Sequence, residues 1–516
     1  MLKPGAAAWH ATCSITELTY TRRGTGTTPF RMKQNDQRLI VISNRLPVRL
    51  RRRSSNRWSV SPSSGGLVTA LDPVLRHRGG VWIGWAGTTD GAPEALETTL
   101  AEACADWRYD LVPVFLSDIE VRDFYRGFAN EVVWPLFHDC FSLCNFDPQY
   151  WSAFISANGK FAERAAELAR PGDVIWVHDY QLMDVGRQLR GLGIENKIGF
   201  FNHIPFPTPD IFRRLPWRER ILDSLLEYDL LGFQLARDEA HFCECRADLL
   251  ESPAPFGRSA SRARAASSRR VGHFPISIDF DDFAKLAASE SVAVLARQLR
   301  AQNRDRKILL GVDRLDYSKG LPEKLAGFRH ALEKYPDLRG RVTLVQYVVP
   351  SREKVAEYRT LRLRIERAIG EINGAFSEPG WIPVHYYFQS LRREELCAYY
   401  RTADICLITS VKDGMNLVAK EYCAAQVDDP GVLILSEFTG SASELGDDAL
   451  QINPCDIEGV CDAIHQGVAM SATERSARMQ RLRECIRVHD VHHWVDCYLA
   501  ELAPGMADVG AKLIAN

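Results

Sequence analysis

Eight short apolar runs punctuate this 516-residue chain, and none carries the alternating polar residues of a half-exposed strand. They are LIVIS (39–43), VIWV (174–177), IGFF (198–201), DLLGF (229–233), ILLGV (308–312), VTLVQYV (342–348), ICLIT (405–409) and VLILS (432–436). Strands apolar on both faces belong in a parallel sheet covered by helices on each side. The segments between them have helical spacing, as in PEKLAGFRHALEKYP (322–336). This alternation predicts an α/β architecture. No apolar stretch approaches the roughly 18 residues needed to span a bilayer.

The length allows two large α/β units, and the chain marks where they divide. Residues 1–37 show neither helical nor strand periodicity and no apolar signal region, so they read as a disordered N-terminal extension. Met32 is an alternative start. Residues 252–272 (SPAPFGRSASRARAASSRRVG) read as a flexible basic loop. A boundary is expected near 280. The expected plan is an N-terminal domain at 38–280, a C-terminal domain at 281–482, a closing helix at 483–503 and a tail at 504–516.

Composition narrows the function classes. Apolar residues at 46% and charged residues at 25% exclude whole-chain disorder. Lys plus Arg (64) nearly cancels Asp plus Glu (66), giving a net charge of −2. That disfavours a broad nucleic-acid-binding field and leaves room for local cationic sites. The thirteen Cys, an odd number without a secretion signal, suggest reduced thiols and a cytoplasmic location. His138, Cys140 and Cys144 match no standard zinc spacing and read as buried side chains, so no metal is expected there.

Ligands of open α/β sheets bind beyond the carboxyl ends of the strands, so the residues that follow each run matter most. Asn44 and Arg45 follow the first run. His178 and Asp179 follow the second, and Asn202 and His203 the third. Asp313, Arg314 and Lys319 follow 308–312, and Ser351 and Arg352 follow 342–348. The segment SVKDGMNLVAKE follows 405–409 and contains Asp413 and Glu421. Cations, imidazoles and carboxylates thus gather on one predicted rim in both halves, which points to a cleft between two domains. Arg45, Arg314, Lys319 and Arg352 suit a substrate with more than one phosphate group.

Asp413 and Gly414 predict a turn with a helix starting near Asn416, whose N–H groups and dipole would face a pyrophosphate. Glu421, expected two turns in, could accept hydrogen bonds from ribose hydroxyls. SSGGL (63–67) is a second small-residue turn before a helical pattern. Neither a Walker A nor a GxGxxG motif is present. DFDD (279–282) contains a DxD, read here as an N-cap rather than a metal site.

Taken together, ISNRLPV (42–48), SGGL (64–67), WIGWAG (82–87), VVWPLFH (132–138), WVHDYQLM (176–183), GFFNHIPFPTPDIFRRLP (199–216), DRLDYSKGLPEK (313–324) and DGMNLVAKEY (413–422) resemble the trehalose-6-phosphate synthase family. YDLLGFQ (228–234) and INGAF (372–376) extend the likeness, which runs from about Arg38 to Leu502. These are retaining glucosyltransferases of the GT-B type. The resemblance implies two Rossmann-like domains facing across a cleft, with a C-terminal helix crossing back to the N-terminal domain.

It also implies UDP-glucose as donor and glucose 6-phosphate as acceptor, without cofactor or metal. By motif, Arg314 and Lys319 would neutralise the donor diphosphate with the N–H groups of Met415, Asn416, Leu417 and Val418. Glu421 would hold the ribose, Asp413 and Gly414 would meet the donor, and Gly66 would let backbone approach it. His203 would stand beside the donor glucose. On the acceptor side, Arg45 and Arg352 would hold the phosphate, with Tyr125, Trp134 and Asp179 completing the set. His203, Arg314, Lys319 and Asp179 are the expected catalytic group.

The Asp139-Cys140 pair departs from the family pattern on the acceptor side. Neither nucleic acid nor membrane is expected as a partner. A homo-oligomer is expected, and a separate phosphatase would act downstream. Two alternatives remain open. One is a glucosylglycerol-phosphate synthase using ADP-glucose and glycerol 3-phosphate. The other is a catalytically silent paralogue that binds sugar phosphates.

Overall fold

In the computed structural model, residues 37–54, 57–63, 65–250, 270–303, 305–353, 355–428, 431–504 and 506 are described. The expected disordered extension and most of the Ser/Arg loop and of the tail lie outside them. Among the described residues there are fifteen strands. In chain order they are β1 (Leu39–Arg45), β2 (Val48–Ser54), β3 (Arg57–Pro62), β4 (Gly80–Trp85), β5 (Tyr109–Val114), β6 (Val174–His178), β7 (Lys197–Phe201) and β8 (Leu230–Phe233). There follow β9 (Arg270–His273), β10 (Lys307–Arg314), β11 (Val342–Val349), β12 (Val384–Tyr387), β13 (Ile405–Ile408), β14 (Val432–Ser436) and β15 (Leu450–Ile452).

All eight apolar runs form strands, and all pair in parallel. One sheet runs β5-β4-β1-β6-β7-β8-β9 and the other β12-β11-β10-β13-β14-β15, while β2 and β3 make a separate hairpin. In each sheet the first strand lies inside and the order reverses beside it, between β1 and β6 and between β10 and β13. That is Rossmann-like winding, and it opens a crevice at the strand ends where the order reverses. Gln37–Asn516 form one compact unit.

Side-chain alternation explains why both faces of each sheet are buried. Ile40 and Ile42 of β1 enter one core with Ile83, Val177 and Phe200, while Leu39 and Val41 enter another with Trp82 and Trp176. The second sheet divides in the same way, with Leu309 on one face and Ile308 and Leu310 on the other. The Ser/Arg segment differs from expectation at its end. Arg270 to Gly272 belong to β9, which pairs with β8 and extends the first sheet.

The helix Val491–Leu502 begins at Asp490, whose side chain accepts from His493 N at 2.9 Å. It packs on the first sheet after the chain has completed the second. Tyr498 stacks on Trp176 at 4.4 Å, and its hydroxyl meets the Phe200 and Leu230 carbonyls at 3.1 and 3.2 Å. The DFDD segment is a cap: Asp279 accepts from Asp282 N at 3.0 Å and opens the helix Phe280–Ala288. Among the described residues, no helix is long and apolar enough to cross a membrane.

Candidate active site

The two loops that flank the second sheet's switch point meet. Lys319 and Asp413 leave the ends of β10 and β13, and the ammonium donates to Asp413 Oδ2 at 2.5 Å. Asn416 donates to the same oxygen at 3.0 Å. Burial alone would raise the Asp413 pKa, but Lys319 and these hydrogen bonds outweigh it and hold the carboxyl below its ordinary value. Asn416 takes a left-handed φ of 73° and caps the helix Leu417–Ala425 by accepting from Ala419 N. The first-turn N–H groups of Leu417 and Val418 have no intrahelical acceptor and constitute a positive dipole end. Met415 lies just before this start and is buried.

Glu421 lies a little over one turn into that helix, closer to its start than the sequence suggested. Tyr400 donates to Glu421 Oε2 at 2.8 Å. Burial pushes the Glu421 pKa up to about 7, with Tyr400 opposing the rise. Arg314 is exposed at the end of β10 and has no ion-pair or hydrogen-bond partner among the described residues. Its guanidinium stands 5.5 Å from the Trp134 ring.

Backbone from the two halves comes very close here. A Cβ on Gly414 would lie 2.2 Å from the His203 carbonyl oxygen, so only glycine fits. A Cβ on Gly66, at the start of the helix Gly66–Arg78, would lie 3.0 Å from Leu417 Cδ1. Two helix starts therefore face each other across the crevice.

His203 is held neutral, its pKa driven down to about 3 by burial. Gln234 accepts from Ile276 N through Oε1, so its Nε2 faces His203 Nδ1 at 3.4 Å as a donor. This assignment leaves the proton of His203 on Nε2, which donates to His178 Nδ1 at 3.1 Å. The His203 backbone N–H donates to Asp179 Oδ1 at 3.2 Å. Asp179 takes a φ of 78°, an uncommon conformation outside glycine. Burial pushes its pKa up to about 6, against hydrogen bonds from the backbone and the charges of Arg314 and Arg352.

A cavity of about 360 Å³ adjoins these groups, with Arg45, Tyr125 and Arg352 in its wall. Arg45 lies over the Trp85 ring at 4.4 Å and the Tyr125 ring at 5.3 Å. Arg352, 8% exposed, donates to Asp316 at 2.9 Å and to the Tyr358 hydroxyl at 2.5 Å. Its guanidinium lies 4.0 Å from the Trp134 ring. Trp134 is buried, its Nε1 has no partner among the described residues, and both Arg314 and Arg352 approach its indole.

The structure thus brings Lys319 to Asp413, Gly414 to His203, Gly66 to Leu417, His203 to Asp179, and Arg314 and Arg352 to Trp134, while Arg45, Tyr125 and Arg352 share one cavity. Other groups beside these were not anticipated. Asp316 is fully buried and anchors Arg352, although it lies inside DRLDYSKG. Tyr400 and Gln234 orient Glu421 and His203 from other elements; Gln234 closes YDLLGFQ, whereas no sequence signal marks Tyr400. Arg49, Arg126 and Asn130 also line the cavity. Arg126 adjoins Tyr125 in sequence, which was the one available clue. His138 is stacked on Trp134 at 4.1 Å, as a core side chain, and Asp139 pairs with Lys412 across the crevice. Among the described residues, no group of three His, Cys, Asp or Glu side chains is arranged to hold a metal.

The chain has clear relatives. The family model "Glycosyltransferase family 20" matches residues 37–504. A trehalose-6-phosphate synthase of Mycobacterium bovis is 42% identical over 477 residues, covering 91% of this chain and 95% of that protein. A UDP-forming alpha,alpha-trehalose-phosphate synthase of Dictyostelium discoideum is 40% identical over 470 residues. That match covers 90% of this chain but only 62% of the larger relative. A UDP-forming enzyme of the same name from Burkholderia xenovorans, solved in complex with glucose 6-phosphate, superposes with a TM-score of 0.78 at 34% identity. It covers 90% of this chain and 99% of that one. The family match over residues 37–504 and the paired Rossmann-like sheets lead to one conclusion: this chain belongs to glycosyltransferase family 20.

Proposed function

We propose that this chain transfers glucose from UDP-glucose to the anomeric hydroxyl of glucose 6-phosphate, releasing UDP and trehalose 6-phosphate. The observation that carries this reading is the joining of two cationic sites at Trp134, whose ring both Arg314 and Arg352 approach. Arg314, Lys319 and a helix start make up one site, and the guanidinium-walled cavity of Arg45 and Arg352 the other. A diphosphate suits the first site and a sugar phosphate the second.

In the proposed step, the bond from the donor anomeric carbon to the β-phosphate oxygen breaks. The acceptor hydroxyl oxygen bonds to that carbon from the same face, and its proton passes to the departing phosphate. Configuration is retained without a glycosyl-enzyme. Arg314 and Lys319 stabilise the charge that develops on the leaving group. Asp179 and the neutral His203 position the two sugars at the reacting end, so proximity supplies a further part of the rate. The diphosphate charge is met by side-chain cations and N–H groups, and the proposed step is metal-independent.

A donor-by-acceptor activity matrix tests the proposal, with and without a chelator. UDP release is expected from UDP-glucose with glucose 6-phosphate, undiminished by the chelator. Turnover confined to ADP-glucose and glycerol 3-phosphate would instead make the chain a glucosylglycerol-phosphate synthase. Binding without turnover would make it a silent paralogue.

A further inference from the structure

The acceptor cavity contains a cation that neither the sequence motifs nor its neighbours account for. We infer that Arg126 is a specificity-determining residue of this cavity, contributing a charge-assisted contact to the phosphoryl group of a phosphorylated acceptor. The inference rests on the acceptor reading proposed above.

Arg126 lies in the helix Val121–Val133, which is wound wide, as its i→i+5 bond from Trp134 N to the Ala129 carbonyl shows. Asn130 Nδ2 donates back to the Tyr125 carbonyl at 2.5 Å and pins this turn. Tyr125 and Arg126, consecutive in sequence, consequently both line the cavity. Wide turns of this kind recur at functional sites.

The other predicted cations there are already held. Arg352 is committed to Asp316 and Tyr358, and Arg45 lies over the Trp85 and Tyr125 rings. Arg126 is half-buried and makes no hydrogen bond or ion pair among the described residues. Glu353 is the one carboxylate in the wall; it is 57% exposed and lies 4.0 Å from Arg362. The cavity is therefore strongly cationic, and a phosphomonoester near neutral pH brings up to two negative charges and three acceptor oxygens. A planar guanidinium with no protein partner can engage two of those oxygens without breaking an existing contact.

Kinetics of Arg126→Ala and Arg126→Lys, with inorganic phosphate as a binding probe, test the inference. The Ala variant should raise KM for glucose 6-phosphate roughly tenfold or more, the scale of losing a charge-assisted hydrogen bond. KM for UDP-glucose should stay within twofold. Calorimetry should show weaker binding of inorganic phosphate, and the Lys variant should recover part of both losses. Melting temperature should not fall, because no protein group loses a partner. An active wild type whose Ala variant keeps its KM for glucose 6-phosphate within twofold would overturn the role of Arg126. A wild type that turns over no glucose 6-phosphate would overturn the acceptor reading instead. In that case, equal binding of inorganic phosphate by wild type and Ala variant would also overturn the role of Arg126.

Discussion

Lys319 Nζ and Asp413 Oδ2, 2.5 Å apart, join the loop after β10 to the loop after β13. Their partnership gives the first prediction. Removing the ammonium in Lys319→Ala takes away a proposed partner of the leaving group and also leaves the Asp413 carboxylate without its main counter-charge. Turnover should fall by roughly two orders of magnitude or more, the range for losing a preorganised charge partner. The stability effect has a definite sign. Asp413 titrates below its ordinary value in the folded protein. Its contribution to stability is therefore present above the unfolded pKa of 3.8 and lost as pH falls through the lower folded value. In Lys319→Ala, burial acts on Asp413 with less opposition, so that contribution shrinks. Melting temperature should drop at pH 7 and approach that of the wild type in acid. Unchanged turnover would remove Lys319 from the mechanism.

Arg314 offers the complementary case. It is exposed and makes no hydrogen bond or ion pair among the described residues, so Arg314→Ala should change the melting temperature little. Turnover of UDP-glucose should nonetheless fall by roughly two orders of magnitude. Steady-state kinetics beside thermal denaturation would separate the two effects. Near-normal activity would reject its role at the leaving group.

Eight of the nine interior strands are legible in the sequence as apolar runs; interior β4, GVWIGW, and the edge strands are not. β1, β6, β10 and β13 flank the switch points and are apolar on both faces. β9, at one sheet edge, reads RVGH, and β12, at another, reads VHYY. Edge strands need bury only part of their surface, so their composition says less. Residues placed by their own strand end, such as Arg45, Asp179 and Arg314, could be located from position alone. The roles of Asp316, Tyr400 and Gln234 could not, because they depend on partners that only the folded chain brings near.

Glu421 combines a proposed binding role with a cost in stability. Its folded pKa is about 7, against 4.5 for an ordinary Glu. A raised carboxyl pKa favours the folded state at low pH. That advantage is fully present below 4.5 and is lost as pH rises through about 7. Glu421→Gln keeps an acceptor for the Tyr400 hydroxyl and removes the buried charge. The variant should therefore melt higher than wild type at pH 8, with the difference fading toward pH 4.5. It should also bind UDP more weakly by calorimetry, because one ribose acceptor loses its charge. A lower melting temperature at pH 8 would contradict the burial argument. Unchanged UDP binding would contradict the ribose assignment.

The closing helix offers a test on the side that packs against the first sheet. Tyr498 is fully buried, and its hydroxyl sits between the Phe200 and Leu230 carbonyls, at the ends of two first-sheet strands. Its ring stacks on Trp176, so Tyr498→Phe preserves the aromatic packing and removes only the hydroxyl. Either carbonyl would then lose a buried donor, at a cost of about 1–2 kcal/mol. Tyr498→Ala would also open a cavity against Trp176 and Phe274 and should cost about 3–5 kcal/mol. Chemical denaturation of both variants measures the two terms separately. The Phe variant should keep the wild-type KM for both substrates, because the lost hydroxyl bonds only to the Phe200 and Leu230 carbonyls. A Phe variant as stable as wild type would mean that the hydroxyl adds nothing to the docking of this helix, leaving ring packing alone to hold it.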